Sequence, residues 1–423
     1  MRIAIVGAGI VGVTTAHELA QDGHEVTVIE RLASVASGTS FANAGVLAPG
    51  YVTPWAAPGM PVKVLAGLLS RHAAVRFGSR WPLALPWLVR YLRACNAGTY
   101  ERHRRALHAL AHASQDRLTE LTGSLDLPFE HARGYLVLLR SRREAQRYRP
   151  TLAMLEALGV HHEWLDENGC RAAEPGLNTA TPLHAGVRLP QAAVGNCRLF
   201  AQGLRQRLAE RGVAFRFSTE VCHIEPGPQI RLGLRQAREG QELVRLPFDK
   251  VVLCTGHLAR GLLAPLGLKL RMEPVWGYSL TARLRHADAV GAGSPRAGLM
   301  DERFKVAISR LGERVRVAGS AELGGHPDTM HPRALATLHR VLDDWFPGQA
   351  ELASAQYWKG ARPMRPDGPP VIGATKVQGV WVNLGHGSSG WALSCGSARL
   401  LADRLAGRPP VVDPEPYDPH HMR

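Results

Sequence analysis

The sequence predicts an α/β protein in which a doubly wound parallel sheet is joined to an α+β domain with a mixed or antiparallel sheet. Three observations predict this fold. A buried strand, a glycine-rich turn, a helix and a second strand occupy the first 30 residues. A further buried strand lies near residue 250, and a second glycine-rich turn between a strand and a helix lies near residue 385. The doubly wound domain is therefore discontinuous, and the segments between its parts form the second domain.

The first 30 residues have the spacing of a dinucleotide-binding unit. Residues 2–6 form a predicted buried strand, and the turn after it contains Gly7, Gly9 and Gly12. Gly7 permits a tight turn, Gly9 lets backbone amides approach a pyrophosphate, and Gly12 lets the helix pack closely on the strand. The positive N-terminal end of the helix attracts the anion. The predicted cofactor contacts here are Gly7, Gly9, Ile10, Val11 and Gly12.

Glu30 ends the second strand, where a carboxylate can accept hydrogen bonds from both hydroxyls of an adenosine ribose. A carboxylate at this position argues against the 2′-phosphate of NADP. The small residues 37–45 follow, and they predict a close approach of backbone amides and hydroxyls to the middle of an extended dinucleotide. The predicted cofactor contacts in this part of the chain are Glu30, Arg31, Ser40, Asn43, Ala44, Gly45 and Val46.

Later segments complete the predicted nucleotide site. A helix at 199–211, a strand within 214–224 and a buried strand at 249–256 continue the doubly wound sheet. A strand at 380–384 leads through a glycine-rich turn into a helix that ends near Leu405. Because the first turn already serves the pyrophosphate, the second helix N-terminus suits the N1–C2=O edge of a flavin, which favours FAD over NAD. The predicted contacts are Val221, Cys254, Thr255, Gly256, Gly387, Ser388, Ser389 and Gly390.

Five segments carry a resemblance to a known family: 5–12 (IVGAGIVG), 42–59 (ANAGVLAPGYVTPWAAPG), 277–281 (GYSLT), 360–368 (GARPMRPDG) and 385–391 (GHGSSGW). Over nearly its whole length the chain resembles the D-amino acid oxidase and glycine oxidase superfamily of flavoproteins, most closely the bacterial D-amino acid dehydrogenase small-subunit family. The resemblance implies an FAD-binding domain of the Rossmann type. The sequence departs from the family pattern at Val46–Leu47 and in the loop 187–197, which bears on substrate preference.

The resemblance also implies four catalytic-site residues. Arg362 stands in the Gly-x-Arg-Pro motif whose arginine binds the substrate carboxylate, and a guanidinium offers that carboxylate a planar fork of donors. Tyr278 resembles a tyrosine that holds the same carboxylate, and Tyr51 resembles a mobile lid residue. His386 lies beside the predicted flavin turn, where it would contact cofactor or substrate. The alternatives are ordinary half-buried tyrosines and a histidine that is hydrogen-bonded within its turn.

By this resemblance the chain is expected to catalyse FAD-dependent oxidative deamination of a small amino acid, with the D-isomer favoured. Hydride transfer from the α-carbon to flavin N5 would lead to a 2-oxo acid and ammonia, and the electrons would pass to a quinone or another carrier. Oxygen as the acceptor stays open. So does a secondary-amine substrate such as sarcosine, proline or hydroxyproline, because the same carboxylate clamp would serve it. A flavin-dependent RNA-modifying or RNA-binding protein is a distant alternative.

Composition narrows the partners and the location. The net charge of +15 permits anionic partners, but the arginines are dispersed and no RNA-binding motif is present, so we expect no nucleic-acid partner. The six cysteines lack zinc spacing, which indicates reduced thiols, no metal site and a cytoplasmic protein. The basic, Trp- and Leu-rich segment 61–95 suggests a peripheral contact with the inner face of the cell membrane. The interpretation that we favour for this segment is a helical hairpin packed on the body.

The domain limits follow from these assignments. The predicted FAD-binding domain comprises residues 1–50, 185–270 and 357–423, and the predicted substrate domain comprises 51–184 and 271–356. Strands at 135–140, 278–284 and 314–318 are expected in the substrate sheet. The segment from Asp413 onward is rich in Pro and His, and it is expected to be a frayed tail.

Overall fold

The computed structural model of the protein describes residues 1–67, 72–236, 244–286 and 293–422. Within these ranges the strands are β1 (Arg2–Val6), β2 (Glu25–Ile29), β3 (Val46–Leu47), β4 (Val75–Phe77), β5 (Ala132–Leu139), β6 (Glu163–Asp166), β7 (Ala185–Val194), β8 (Ala214–Arg216), β9 (Thr219–Glu225), β10 (Ile230–Gln236), β11 (Val244–Phe248), β12 (Lys250–Leu253), β13 (Glu273–Arg283), β14 (Gly298–Asp301), β15 (Val306–Leu311), β16 (Arg314–Leu323), β17 (Gln356–Met364), β18 (Val371–Ala374) and β19 (Val380–Leu384).

Ten α-helices lie in the same ranges, and polar side chains cap several of them. The helices are α1 (Ile10–Gln21), α2 (Met60–Gly67), α3 (Leu85–Ala94), α4 (Ala97–Leu125), α5 (Arg142–Ala157), α6 (Glu167–Ala173), α7 (Cys197–Glu210), α8 (Ala259–Leu263), α9 (Pro332–Trp345) and α10 (Gly390–Ala406). Asn96, Ser141 and Asn196 accept hydrogen bonds from the first-turn amides of α4, α5 and α7. Each cap satisfies an amide that the helix itself leaves without a partner, and so fixes where the helix begins.

A six-stranded sheet forms the nucleotide half of the molecule. Its strand order is β18-β19-β12-β1-β2-β8, and all neighbours are parallel except β18, which is antiparallel to β19. Helices α1, α4, α7 and α10 share one hydrophobic core on one face. The antiparallel sheet β11-β10-β9 and helix α8 share a second core with the other face. This arrangement confirms the predicted doubly wound sheet, including its late strands β12 and β19.

A larger mixed sheet forms the other half, as predicted. Its order is β17-β13-β16-β15-β14-β5-β7-β3, with β4 paired to β16 and β6 paired to β7. The predicted strands 135–140, 278–284 and 314–318 correspond to β5, β13 and β16, and the first two extend one residue past the observed strand ends. Helix α9 packs on one face through apolar residues at helical spacing. The opposite face turns toward the nucleotide half, so the site lies between the two sheets.

A buried ion pair ties α9 to the large sheet. The guanidinium of Arg140 donates to the Asp301 carboxylate over 2.8 Å, and the Trp345 indole donates to the same carboxylate over 2.7 Å. Arg140 also lies over the Trp345 ring, at 4.8 Å from the ring centre. Removal of one partner would leave a buried charge uncompensated, and the Trp345 hydrogen bond joins α9 to this ion pair. The contact therefore holds α9 against the large sheet.

The sheets place three segments differently from the predicted domain limits. Strand β7 begins at Ala185 and strand β17 ends at Met364, and both belong to the large sheet although the prediction put them with the FAD domain. Helix α4 was predicted in the substrate domain but packs on α10 and α1. Pairing between distant strands and packing between helices decide which domain a segment belongs to. Neither can be deduced from local sequence patterns. The two-domain division itself remains a prediction.

The segment 61–95 is only partly helical. Helices α2 and α3 flank the short strand β4, which pairs with β16, so the prediction of a simple helical hairpin is wrong. Residues 68–71 of this segment lie outside the described residues. In the described parts of the chain, no helix has both the length and the apolar sequence that crossing a bilayer requires.

The end of the chain is packed rather than frayed, which corrects the prediction. Tyr417 is buried, and its hydroxyl donates to the backbone oxygen of Ala106 in α4 over 2.5 Å. Arg404 of α10 pairs with Asp418 over 2.8 Å. Prolines made this segment look irregular in sequence, but a single large aromatic side chain is enough to anchor it. The six cysteines, all within the described ranges, are free thiols.

Candidate active site

A cavity of about 1280 Å³ runs between the two sheets. It follows the C-terminal ends of the parallel strands, where ligands bind in doubly wound proteins. Of the residues predicted to contact the cofactor, only Gly12 is absent from the lining. The four predicted catalytic-site residues, Arg362, Tyr278, Tyr51 and His386, also contribute to it.

The first glycine turn has the geometry that its sequence predicts. Gly7 has a φ of +102°, and a Cβ there would lie 2.7 Å from the backbone oxygen of Cys254. Gly12 lies within α1, and a Cβ there would lie 1.8 Å from the Gly7 oxygen. Gly12 therefore serves the turn through packing and not through ligand contact. The first turn of α1 carries no acidic side chain, so its N-terminal end can accept an anion.

Glu30 lies where the second strand ends, next to this turn. Its carboxylate accepts hydrogen bonds from the amides of Ala8 over 2.7 Å and Leu32 over 2.9 Å. These bonds hold the carboxylate at the cavity wall beside Arg31. Farther along the wall lie Val221 of β9 and the residues that follow β12, namely Cys254, Thr255 and Gly256. Together they form the end of the cavity expected to receive adenosine.

Side chains from the large sheet hold the loop that follows β2. Three consecutive carbonyl oxygens of this loop each accept a side-chain hydrogen bond from a different strand. Ser279 of β13 donates to Ala42 over 2.7 Å, Arg316 of β16 donates to Asn43 over 3.1 Å, and Ser309 of β15 donates to Ala44 over 2.7 Å. Burial lowers the pKa of Arg316 to about 10, so the guanidinium stays charged at neutral pH. Sequence reasoning missed these three residues.

The second glycine turn precedes α10. Gly385 and Gly387 have φ values of +82° and +59°, and Gly387–Ser389 form a 3₁₀ turn directly before Gly390. The Trp55 indole donates to the Ser388 hydroxyl over 3.0 Å. The indole N–H of Trp391, in the first turn of α10, is buried on the cavity wall without a protein partner. A buried donor of this kind fits a polar ring system lying in the cavity.

His386 lies in this turn with its ring directed into α10. Its Nε2 is 3.0 Å from the Ser397 hydroxyl, and the side chain is buried. Burial lowers the pKa of His386 from 6.5 to about 3, so the imidazole is neutral at physiological pH. The hydrogen-bonded turn histidine, one of the two interpretations from sequence, is thus present, and the ring also touches the cavity.

The buried histidine predicts a pH dependence of stability. Below about pH 6.5 the unfolded chain binds a proton at His386, whereas the folded chain does not until about pH 3. The free energy of unfolding therefore falls as the pH drops, by roughly 2 kcal/mol from this residue at pH 5. Urea unfolding at pH 7 and pH 5 should show a smaller loss in His386→Asn than in the unmodified chain. Equal losses in the two proteins would contradict the assignment.

Arg362 is a half-buried cation that no protein carboxylate pairs within the described chain. Its guanidinium donates to the backbone oxygen of Ser320 over 2.9 Å and lies 5.7 Å from the centre of the Trp55 ring. A Cβ at Gly277 would lie 2.4 Å from this guanidinium, so Gly277 provides its space. Burial lowers the pKa of Arg362 to about 10, which leaves it charged at neutral pH. A partly desolvated guanidinium without a carboxylate partner at a cavity wall is suited to a carboxylate ligand.

The structure does not bring the Tyr278 hydroxyl to Arg362. In the pairing of β13 with β17, Tyr278 lies opposite Lys359 and Val275 lies opposite Arg362. Because residues three apart on a strand point to opposite faces, Tyr278 and Arg362 face different sides of the sheet. The phenol donates to Glu322, which also pairs with Lys359 over 3.0 Å. Strand register, which sequence does not reveal, separates the two predicted residues.

Tyr51 lies in a different part of the cavity. Its hydroxyl donates to Glu302 over 3.3 Å, and its ring meets the Tyr135 ring edge-on at 5.7 Å between centres. Tyr135 belongs to β5, far from β17 in the order of the large sheet. Tyr51 and Arg362 therefore contact different regions of the cavity.

Comparison with known proteins agrees with this geometry. Residues 2–404 match the model of the DAO family, described as FAD dependent oxidoreductase. The chain belongs to this family. A D-amino acid dehydrogenase from Cereibacter sphaeroides is 42% identical over 98% of this chain and 93% of its own length. A D-amino acid dehydrogenase from Methylobacterium sp. (strain 4-46) is 40% identical over 100% of this chain and 99% of its own.

Two solved protein structures have the same fold as this chain. Glycine oxidase from Geobacillus kaustophilus superposes with a TM-score of 0.75 at 21% identity, covering 99% of this chain and 98% of its own. L-proline dehydrogenase from P. horikoshii superposes with a TM-score of 0.71 at 18% identity, covering 99% of this chain and 96% of its own. The predicted fold class and family are confirmed. This chain is an FAD-dependent oxidoreductase, and FAD is its cofactor.

The residues present fit FAD. The first glycine turn and the open N-terminus of α1 suit the pyrophosphate, and Glu30 suits the adenosine ribose. The unpaired indole donor of Trp391 and the second glycine turn suit the polar edge of the isoalloxazine ring. When bound, FAD supplies a two-electron acceptor for a hydride from the substrate.

Proposed function

We propose that this chain oxidises a small D-amino acid to a 2-oxo acid and ammonia, and that a quinone receives the electrons. The observation that carries the proposal is Arg362, a half-buried guanidinium without a carboxylate partner in the described chain, in a cavity continuous with the FAD site. The relatives named above, similar over nearly the whole chain, are D-amino acid dehydrogenases, and they support the choice of substrate.

Arg362 fixes the substrate through its carboxylate. A bidentate contact restricts rotation of the amino acid, so the hydrogen on its α-carbon is held toward the cofactor. Trp55 lies against the guanidinium and donates to Ser388 in the second glycine turn, so one side chain contacts both the carboxylate-binding group and the predicted flavin turn. His386 is neutral and bonded to Ser397, so it is not assigned a proton-transfer role. The substrate amine enters without its extra proton, and water hydrolyses the imine that forms.

An apolar surface next to Arg362 supports a membrane-bound acceptor. On α3, the buried face carries Trp87 and Tyr91, whose polar atoms donate to the backbone oxygens of Met364 and Trp55. The opposite face exposes Leu85, Val89 and Leu92, spaced four and three residues apart on one side of the helix. We call these three residues the apolar stripe.

Further exposed apolar residues continue the apolar stripe, namely Val62, Leu65, Trp81 and Leu83. In α2, Val62 and Leu65 are exposed while Met60 and Val64 line the cavity, so the apolar surface borders the cavity mouth. The exposed side chains of Arg80, Arg90 and Arg93 suit anionic lipid headgroups. We propose that this surface lies on the inner face of the cell membrane, from which a quinone reaches the cavity.

The experiment that tests the substrate is anaerobic titration of the purified flavoprotein. Absorbance near 450 nm should fall on adding one or more D-amino acids and not their L-isomers. Bleaching by sarcosine, proline or hydroxyproline instead would show that the substrate is a secondary amine. An unchanged spectrum with every candidate would overturn it. Product assays should then find reduced quinone rather than peroxide, because peroxide in air would identify an oxidase.

The membrane contact has its own expected result. Replacing Leu85, Val89 and Leu92 together by Gln should weaken sedimentation with phosphatidylglycerol vesicles at least about tenfold, because their burial in the bilayer surface supplies apolar free energy. The matched control replaces Val244, Leu352 and Val411 by Gln, three exposed apolar residues elsewhere on the surface. Equal binding by both triple variants would rule out α3 as the contact.

A further inference from the structure

The cavity has a second polar region that the substrate site does not use. It is lined by Tyr51, Tyr100, Tyr135 and Tyr148, with Arg104 and Glu302 among them. We call this region the tyrosine chamber. Arg104 comes from α4, Tyr148 from α5, Tyr135 from β5, and Tyr51 from the 3₁₀ turn Pro49–Tyr51. Four separate elements thus converge on one part of the cavity.

Arg104 is buried in the tyrosine chamber without a charged partner. Its side chain is 2% exposed, and no carboxylate of the described chain lies within salt-bridge distance of it. It makes only long contacts, to the Tyr100 hydroxyl at 3.3 Å and to the Gly50 backbone oxygen at 3.4 Å, and its Nε has no partner. A buried guanidinium in this state is costly unless a ligand completes its hydrogen bonds.

The phenols add further donors. The Tyr135 hydroxyl is buried and has no hydrogen-bond partner. Burial, reinforced by the nearby Glu302 charge, raises the pKa of Tyr51, Tyr135 and Tyr148, so all three keep their protons. The chamber therefore offers hydrogen-bond donors and aromatic faces. The Glu302 carboxylate is already paired with Lys305, so the Arg104 guanidinium and the phenols remain to be satisfied, and a ring with carbonyl oxygens can accept hydrogen bonds from them while stacking on the aromatic faces.

The tyrosine chamber is too far from Arg362 to hold the same small molecule. Five inter-strand intervals separate β17, which carries Arg362, from β5, which carries Tyr135. At about 4.8 Å per interval, the path across the sheet between the two strands is roughly 24 Å. The chamber is instead adjacent to the loop after β2, since Ala44 and Val46 of that loop pack in the same apolar cluster as Tyr51 and Tyr135. A ligand there would lie beside the cofactor while Arg362 holds the amino acid.

We infer that the tyrosine chamber is the binding site of the quinone acceptor, with Arg104 and the Tyr135 hydroxyl donating to its carbonyl oxygens. This inference rests on the proposed function. The two electrons and two protons that leave the amino acid as it becomes an imino acid convert the two quinone carbonyls to hydroxyls, so the quinone is reduced to the hydroquinone. Tyr51 then belongs to the acceptor site and not to a substrate lid.

The test uses the FAD-loaded protein and a fully substituted short-chain ubiquinone, which has no ring position open to thiol addition. Arg104→Met should raise the KM for this quinone at least about tenfold, the loss expected for a hydrogen bond from a charged donor. The KM for the amino acid and the rate of anaerobic bleaching should stay within about twofold of the unmodified chain. Calorimetric titration of the oxidised protein should show the same loss of quinone affinity.

Two further variants keep the test interpretable. Tyr135→Phe removes one hydroxyl without changing the packing, so it should weaken quinone binding even if Arg104→Met folds poorly. Arg105→Met on the same helix removes an exposed arginine and should change neither KM. Unaltered quinone affinity in both chamber variants, or a raised amino-acid KM instead, would overturn the inference. If no amino acid bleaches the unmodified protein, the proposed function fails first, and calorimetry still reports on the chamber.

Discussion

Replacing Arg362 by Met should lower kcat/KM for the amino acid by about 100- to 1,000-fold. The substitution removes the cation that we assign to the substrate carboxylate, and loss of one partner from a desolvated charged pair costs about 3–4 kcal/mol. Arg362→Lys should recover little of the loss, because an ammonium does not reproduce the planar fork. Steady-state kinetics with a saturating acceptor measure the effect.

The control for this experiment is Arg283→Met, which removes an exposed arginine from β13, the neighbouring strand. It should leave kcat/KM unchanged. FAD content and the flavin spectrum should be the same in all three variants, since Arg362 is assigned to the substrate. Near-normal kinetics in Arg362→Met would remove the observation on which the proposed function stands.

Gly12→Ala should abolish FAD retention and sharply lower the yield of folded protein. The added Cβ would lie 1.8 Å from the Gly7 backbone oxygen, and neither backbone can shift without opening the contact between α1 and β1. Because the tightness of the first glycine turn depends on that contact, the pyrophosphate site is lost together with local packing. Flavin absorbance per mole of purified protein and thermal unfolding report the two effects.

The matched control is Gly123→Ala, also at a helical glycine but in α4. A Cβ there would meet no atom within 4 Å. Alanine is the better helix former, so this variant should be as stable as the unmodified chain or more stable by up to about 1 kcal/mol. If Gly12→Ala binds FAD as well as Gly123→Ala does, the close packing of α1 on the first glycine turn is not required for FAD binding.

The parts of the site that sequence reasoning located are local in the chain. The turn at Gly7 and Gly9, the carboxylate of Glu30 and the turn at Gly387 each follow a strand directly, so strand prediction alone places them at one edge of the sheet. The role of a glycine or an acidic residue at a fixed distance from a strand end follows from the local geometry alone. This explains why nearly all the predicted cofactor contacts line the cavity.

Contacts between distant strands could not be predicted in the same way. Ser279, Arg316 and Ser309 reach the loop after β2 only because β13, β16 and β15 are neighbours in the large sheet. Tyr278 was paired with Arg362 by resemblance, but the register of β13 against β17 turns it toward Glu322. A shift of one residue in the pairing register moves each side chain of the strand to the other face of the sheet. That register cannot be deduced from the sequence.

Arg104 illustrates a third kind of residue. In the sequence it is one arginine among several in a long helix, with Arg102 and Arg105 close by. Only the packing of α4 against the turn at Gly50 shows that Arg104 is buried while Arg105 is exposed. An apolar pattern around position 104 would have been the available signal, since Leu107 and Ala111 follow it at helical spacing.

The strand order has a consequence for how the protein is made on the ribosome. The chain starts the six-stranded sheet with β1 and β2 but supplies β19, the neighbour of β12, only at residues 380–384. The large sheet is likewise incomplete until β17 has been synthesised. Neither half can close around its core until most of the polypeptide has emerged, so FAD capture comes at the end of synthesis. Until then the nascent chain carries open strand edges, which is the condition under which chaperones are needed.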